Sequence, residues 1–228
     1  EQTIEFTRYT YKFNESLRLY KRFIVASNYL KGRVLEESPN VNPKHIAVIP
    51  TCVDYNKWPP KKYPKKRKQI TFGWIGGDHN YAQLNRVIPH LNSLAKEHDF
   101  KLIVIGGKLF ESDADFEIEF IPWSLKTEIE SLYKIDLGLM PLAETNATKG
   151  KGGFKLLQYM GLGIVSVASG ITINKEIVDD AENGFLVFED SDWEETLQKV
   201  LTMTSTNLTE IGNNAKTKIE ENYTFRAN

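Results

Sequence analysis

Cysteine is almost absent from the 228 residues, with Cys52 standing alone. An internal disulfide is therefore impossible and no Cys/His cluster at zinc-ligand spacing exists, which suits a reducing cytoplasm. Missing too is any excess of one charge: 29 Lys and Arg face 30 Asp and Glu, a formal net charge of −1. No global basic field argues for nucleic acid or an anionic membrane, so any anion site must be local. No apolar run approaches the length of a membrane span, and the opening residues 1–15 contain no apolar h-region. The expected setting is cytoplasmic, at most peripheral at the inner membrane face. Sequons at Asn14, Asn146, Asn207 and Asn222 read as chance there.

The full G-x-G-x-x-G of a dinucleotide-binding turn is lacking as well. Only Gly76-Gly77 follows the strand-like Ile70–Ile75, and no acidic residue ends the strand Leu102–Ile105 to hold a ribose. A dinucleotide-binding Rossmann domain is thus a weaker rival to the reading below.

What is present is a regular alternation of short apolar runs and amphipathic segments. Phe13–Tyr20 reads as helix, Phe23–Ser27 as a buried strand, Tyr29–Glu37 as a helix capped by Ser27 or Asn28, and His45–Ile49 as a second strand. Trp58–Lys68 is proline-rich and strongly basic, and reads as an exposed loop at a boundary; contact of Lys61–Lys68 with a membrane surface is the sharper alternative. Strands follow at Ile70–Ile75, Leu102–Gly106, Glu117–Ile121, Leu137–Met140 and Ile164–Ala168. Between them the spacing predicts helices over Asn80–Lys96, with Leu84, Val87, Ile88, Leu91, Leu94 and Ala95 on one face despite Pro89, and over Leu125–Tyr133. Asn183-Gly184 turns into the run Phe185–Phe188, and two helices close the chain.

Strands without internal alternation, separated by amphipathic helices, imply an α/β domain: a Rossmann-like parallel sheet with helices on both faces. Ligands of such sheets bind at the carboxyl ends of the strands. The loop after Met140 is the most informative of these, because it opens Lys149–Ser169, KGKGGFKLLQYMGLGIVSVAS. Glycines allow close backbone approach, lysines supply charge, and the start of the following helix presents unpaired N–H groups to an anion. Lys155 and Gln158 share a helix face three residues apart and Lys151 continues that line into the loop, while Phe154, Leu157 and Tyr159 can point to the core. A phosphate held by Lys151, Lys155 and the backbone of Gly152, Gly153 and Phe154, with Lys149 nearby, is the functional reading; solvated lysines on a polar face are the bland one.

Several segments together resemble the C-terminal, donor-binding domain of retaining GT-B-fold glycosyltransferases of the family-4 (group 1) type. They are, in order, FIVASNYLK (23–31), IAVIPTCVD (46–54), FGWIGG (72–77), IDLGLMPL (135–142), the Lys149–Ser169 stretch and EIVDDAENGFLV (176–187). The resemblance implies that residues 1–50 are the tail of an N-terminal acceptor domain with the interdomain segment, and that 51–228 form a Rossmann-like nucleotide-sugar-binding domain. Lys218–Asn228 would then begin a final helix, and the fragment would be inactive without the missing N-terminal domain, which holds the acceptor. The implied activity is transfer of a sugar, of hexosyltransferase type, with retention and without a metal or other cofactor, in polysaccharide biosynthesis. A non-catalytic nucleotide-sugar-binding or assembly module is the alternative.

That alternative is motivated by departures from the family's pattern. The family's two glutamates eight positions apart fall on Gly150 and Gln158. An amide can still hold ribose hydroxyls, because it both donates and accepts; Gly150 has no side chain to offer. The family's diphosphate-neutralising Arg and Lys fall on Gly77 and about Ala82, so Lys155 and Lys151 are expected to carry the catalytic charge. The resemblance also places the turn glycines Gly76 and Gly77 at the donor, and Pro122 and Trp123 at the nucleobase, where Trp123 would stack or merely cover the sheet end. His79 reads as a surface loop residue, and Asp113-Ala114-Asp115 as turn chemistry rather than a metal-binding DxD.

Overall fold

The computed structural model describes residues 2–55, 58–64 and 69–228. The chain folds as two units, Glu1–Thr51 and Cys52–Asn228. In the first, helix α1 (Gln2–Leu19) precedes strand β1 (Phe23–Val25), helix α2 (Asn28–Glu37) and strand β2 (Ile46–Val48). The strands pair in parallel, with Phe23 opposite Ile46. β1 stops short of Ser27 because that residue turns to cap α2, its Oγ accepting the Leu30 N–H at 3.3 Å. Leu17, Val34 and Ile46 form a small core of this unit.

The second unit carries β3 (Ile70–Ile75), α3 (Tyr81–Leu84), α4 (Ile88–Leu94), β4 (Phe100–Gly106), β5 (Glu117–Pro122), α5 (Glu128–Tyr133) and β6 (Leu137–Met140). It continues with α6 (Asn146–Lys149), α7 (Phe154–Gly161), β7 (Val165–Ser169), α8 (Thr172–Ile177), β8 (Phe185–Val187), α9 (Trp193–Leu201) and α10 (Ser205–Asn222). Its six strands run in the order β5-β4-β3-β6-β7-β8, every neighbouring pair parallel. The central strands are apolar on both faces because both are covered: Leu102 and Val104 of β4 join a core with Leu91 and Trp193, whereas Ile103 and Ile105 pack with Leu132 and Tyr159. This is the Rossmann-like α/β arrangement expected from the alternation of segments.

The chain moves outward from β3 to β5 and then returns to the other side of β3 as β6. The loops leaving β3 and β6 therefore diverge, and a crevice opens at their carboxyl ends. The β3–β6 ladder pairs Phe72 with Leu137 and Gly73 with Gly138. Beyond it the buried Tyr159 of α7 takes over: its hydroxyl accepts the Ile75 N–H at 3.0 Å and donates to the Leu139 carbonyl at 3.4 Å. One side chain thus satisfies backbone groups of both strands where they part.

Four expectations are corrected. The helix over Asn80–Lys96 is two short helices, α3 and α4, because Pro89 lacks an N–H and clashes with the preceding turn; it sits instead in the first turn of α4. Leu84, Val87, Ile88, Leu91 and Leu94 are nevertheless all buried. The basic segment is not a uniformly solvated loop. Tyr63 is buried, and Lys61 forms a 3.1 Å ion pair with Asp136 and donates to the Tyr133 carbonyl, so neither is free to meet a membrane. Lys62 is exposed, while Lys65, Lys66, Arg67 and Lys68 lie outside the described residues. Lys218–Asn222 end α10 rather than start a helix, and Tyr223 follows them, its carbonyl accepting the Val53 N–H. Finally, Phe154 is half exposed rather than in the core. Leu156, Leu157, Tyr159 and Met160 fill the inner face of α7, which leaves its first residue on the open side. Among the described residues no helix is long and apolar enough to cross a membrane.

Candidate functional site

The crevice between the diverging loops is a cavity of about 500 Å³. β3 and its turn supply Ile75, Gly76 and Gly77; the segment after β6 and the start of α7 supply Lys151, Gly152, Gly153, Phe154, Lys155 and Gln158; Trp123 and Glu128 come from the loop after β5 and the start of α5. Most of the residues singled out in the sequence are therefore brought together. Two are not. Pro122 ends β5 opposite Gly106, and Lys149 lies on α6 in a 3.0 Å ion pair with Glu144. Gly150, on which the family's first glutamate falls, caps the end of α6 and is not part of the cavity wall. His79 packs beside Gly77 outside that wall.

The lysine end is built by glycines. Gly153 adopts φ of 68° just before α7, in the left-handed region that glycine tolerates best, and a Cβ there would lie 2.3 Å from Ile177 Cδ1. No side chain caps α7, so the N–H groups of its first turn keep their donors for a ligand. At Gly76 a Cβ would meet Lys155 Cε at 2.8 Å and the Trp74 ring at 2.7 Å. Its absence lets the Lys155 ammonium lie over the buried Trp74 indole, 4.9 Å from the centroid.

The charges here are poorly solvated. Burial, and then the neighbouring Lys151, push the Lys155 ammonium down to about 8 from the ordinary lysine value. Burial lowers Lys151 too, and its Nζ donates to Asn80 Oδ1 at 2.7 Å. Among the described residues neither lysine has a carboxylate partner. Two cations close together and without a carboxylate partner among the described residues form a site whose deficit an anion would relieve.

The opposite end is held by contacts that the sequence did not suggest. Glu128 Oε2 accepts the Trp123 indole N–H at 2.6 Å, and Oε1 accepts the Tyr55 hydroxyl at 3.5 Å. Tyr55 also hydrogen-bonds the buried Gln158 side chain, and burial pushes its phenol up to about 12. Glu128 was findable in principle, since it starts the helix after a carboxyl-end loop. Tyr55 was not, because 73 positions separate it from Glu128. Among the described residues no group of three or more His, Cys, Asp or Glu side chains could hold a metal ion. Asp113 and Asp115 lie in the loop before β5, where Asn92 holds the Asp113 carbonyl and the Asp115 N–H.

The sequence model of a family described as glycosyl transferases, group 1, matches residues 69–206, well over half of the chain. No curated protein matches. Among solved structures, TarM of S. aureus superposes with a TM-score of 0.74 at 16% identity, covering 96% of this chain and 44% of that one. HepE of Anabaena, in complex with UDP-glucose, gives 0.71 at 14% identity over 92% of this chain and 64% of its own. The C-terminal domain of LpcC, a group 1 family protein from Francisella tularensis, gives 0.58 at 18% identity over 76% of this chain and 99% of the domain. The chain thus spans less than two thirds of the TarM and HepE structures.

Proposed function

This chain belongs to the group 1 glycosyl transferase family, and we propose that its Cys52–Asn228 unit binds a nucleotide-sugar donor in the cavity at the β3–β6 switch point. The observation that carries this reading is the pair Lys151 and Lys155, both without a carboxylate partner among the described residues, beside the uncapped start of α7. A diphosphate fits that chemistry. In sugar transfer the bond from the anomeric carbon to the diphosphate oxygen breaks and the nucleoside diphosphate leaves as an anion. Groups already aimed at the place where that charge grows lower the barrier. Lys151, Lys155 and the N–H groups of Gly152, Gly153 and Phe154 take this role, and in this reading no divalent cation is required.

Gln158, one helical turn on from Lys155, accepts and donates to the ribose hydroxyls, held in place by Tyr55. In this reading residues 1–50 are the tail of an acceptor-binding domain with the interdomain segment, and transfer to a glycan, lipid or other acceptor occurs with retention, on the cytoplasmic side and in polysaccharide synthesis. HepE, in complex with UDP-glucose, supports the donor class by analogy of fold.

The test is transfer and hydrolysis by the full-length protein across UDP-, GDP- and ADP-sugars, with the anomeric configuration of the product read by NMR. Turnover with one donor supports the proposal, and an inverted product removes the claim of retention. Binding without turnover under every condition favours a non-catalytic donor-binding module. One observation favours that second reading: Gly150 brings no carboxylate to the cavity, and Gln158 replaces the other.

A further inference from the structure

We propose that Glu128, at the Trp123 end of the cavity, selects guanine, so that the donor is a GDP-sugar. This rests on the placement of the diphosphate at Lys151 and Lys155.

The order of groups along the wall matches the order of groups in a nucleoside diphosphate. Lys155 and Gln158 lie one turn apart on α7, Gln158 is joined through the Tyr55 hydroxyl to Glu128, and Glu128 is joined to the Trp123 indole. With the diphosphate on the lysines and the ribose at Gln158, the next group along, the base, reaches Glu128 and Trp123. Trp123 is about half exposed (51%) and lines the cavity, so an indole face is open to stacking.

A carboxylate only accepts hydrogen bonds. Among the described residues no lysine or arginine pairs with Glu128, so its charge is free to read a ligand. Trp123 and Tyr55 each occupy one site on it, and a carboxylate offers about four. Of the common bases, guanine alone presents two adjacent donors, N1–H and the exocyclic amine, with no acceptor between them. Uracil offers one N–H flanked by two carbonyls that a carboxylate repels. Adenine and cytosine each place an acceptor beside their amine. The wall therefore favours guanine and disfavours uracil.

The experiment is calorimetric titration of GDP, UDP and ADP into the chain and into Glu128→Gln, with Tm checked for both. We expect GDP to bind more tightly than UDP or ADP by roughly ten- to a hundredfold, the discrimination of one bidentate pair. In Glu128→Gln the GDP preference should collapse and UDP should hold or tighten, since an amide N–H can meet a uracil carbonyl. Equal affinities, tighter UDP, or a variant that weakens all three nucleotides alike would overturn the guanine assignment and leave the diphosphate site standing. Failure of every nucleotide to bind would overturn both. Should the variant not fold, the ranking on the unaltered chain decides alone.

Discussion

The ammonium of Lys155 lies 4.9 Å from the centroid of the Trp74 ring. Trp74 is in the middle of the central sheet and Lys155 begins α7, so this contact fixes a cation at the point where the β3 and β6 loops part. The ring stabilises the charge in place of water, and burial still makes the charged form costly.

The first consequence is a pH dependence. The folded-state value of about 8 lies below the ordinary lysine value, so between the two the unfolded chain holds this proton more tightly. The Lys155 contribution therefore makes the unliganded fold more stable as pH rises above about 8. Nucleotide affinity runs the other way, because the diphosphate binds the ammonium: it is full below about pH 8 and falls as pH rises through it. Calorimetry in buffers of different ionisation enthalpy should show proton uptake on binding near pH 8–9, at about the pKa of the free lysine. Lys155→Met should abolish that uptake.

Gly153→Ala should damage fold and site together. The left-handed backbone costs an alanine about 1–2 kcal/mol, and the new Cβ also has to displace Ile177, 2.3 Å away. Urea denaturation should show a loss of at least this size, and nucleotide affinity should drop because the start of α7 shifts.

Tyr159→Phe leaves the Ile75 N–H buried without its partner. The expected cost is about 1–3 kcal/mol, that of a stranded donor. Chemical denaturation with an unchanged m-value would measure it, and a variant as stable as the parent would show that the hydroxyl does not hold the two strands.

Lys61 and Lys62 are neighbours with opposite expected behaviour. Lys61→Ala strands the Asp136 carboxylate of a largely buried pair and should cost about 3 kcal/mol or more. Lys62→Ala removes an exposed charge and should stay within about 0.5 kcal/mol. Thermal melts of the two variants compare them directly.

Much of this was legible in the sequence, for physical reasons. A strand buried on both faces is a continuous apolar run, so β3, β4 and β6 announced themselves. The spacing of Lys155 and Gln158 on one helix placed both in the same wall, and the glycines between Lys149 and Phe154 marked where backbone approaches a ligand. What failed depended on which partner or cover the fold puts beside each side chain. Lys61 looked solvated until Asp136 was beside it, and Lys149 looked like a phosphate ligand until Glu144 claimed it. Phe154 looked like core because hydrophobicity does not reveal which side of a helix start is covered. Tyr55 gave no pattern at all, since its contact with Glu128 exists only after α5 and the segment following Thr51 have packed.

The most direct test of the account is calorimetric titration of GDP and UDP into the chain, Lys155→Ala and Gln158→Ala, at pH 7 with Tm held as a control. Lys155→Ala should lose roughly tenfold or more in affinity for both nucleotides, the worth of a hydrogen bond to a charged group, with a smaller loss for Gln158→Ala. Unchanged affinity in both variants would contradict the placement of the diphosphate at the start of α7.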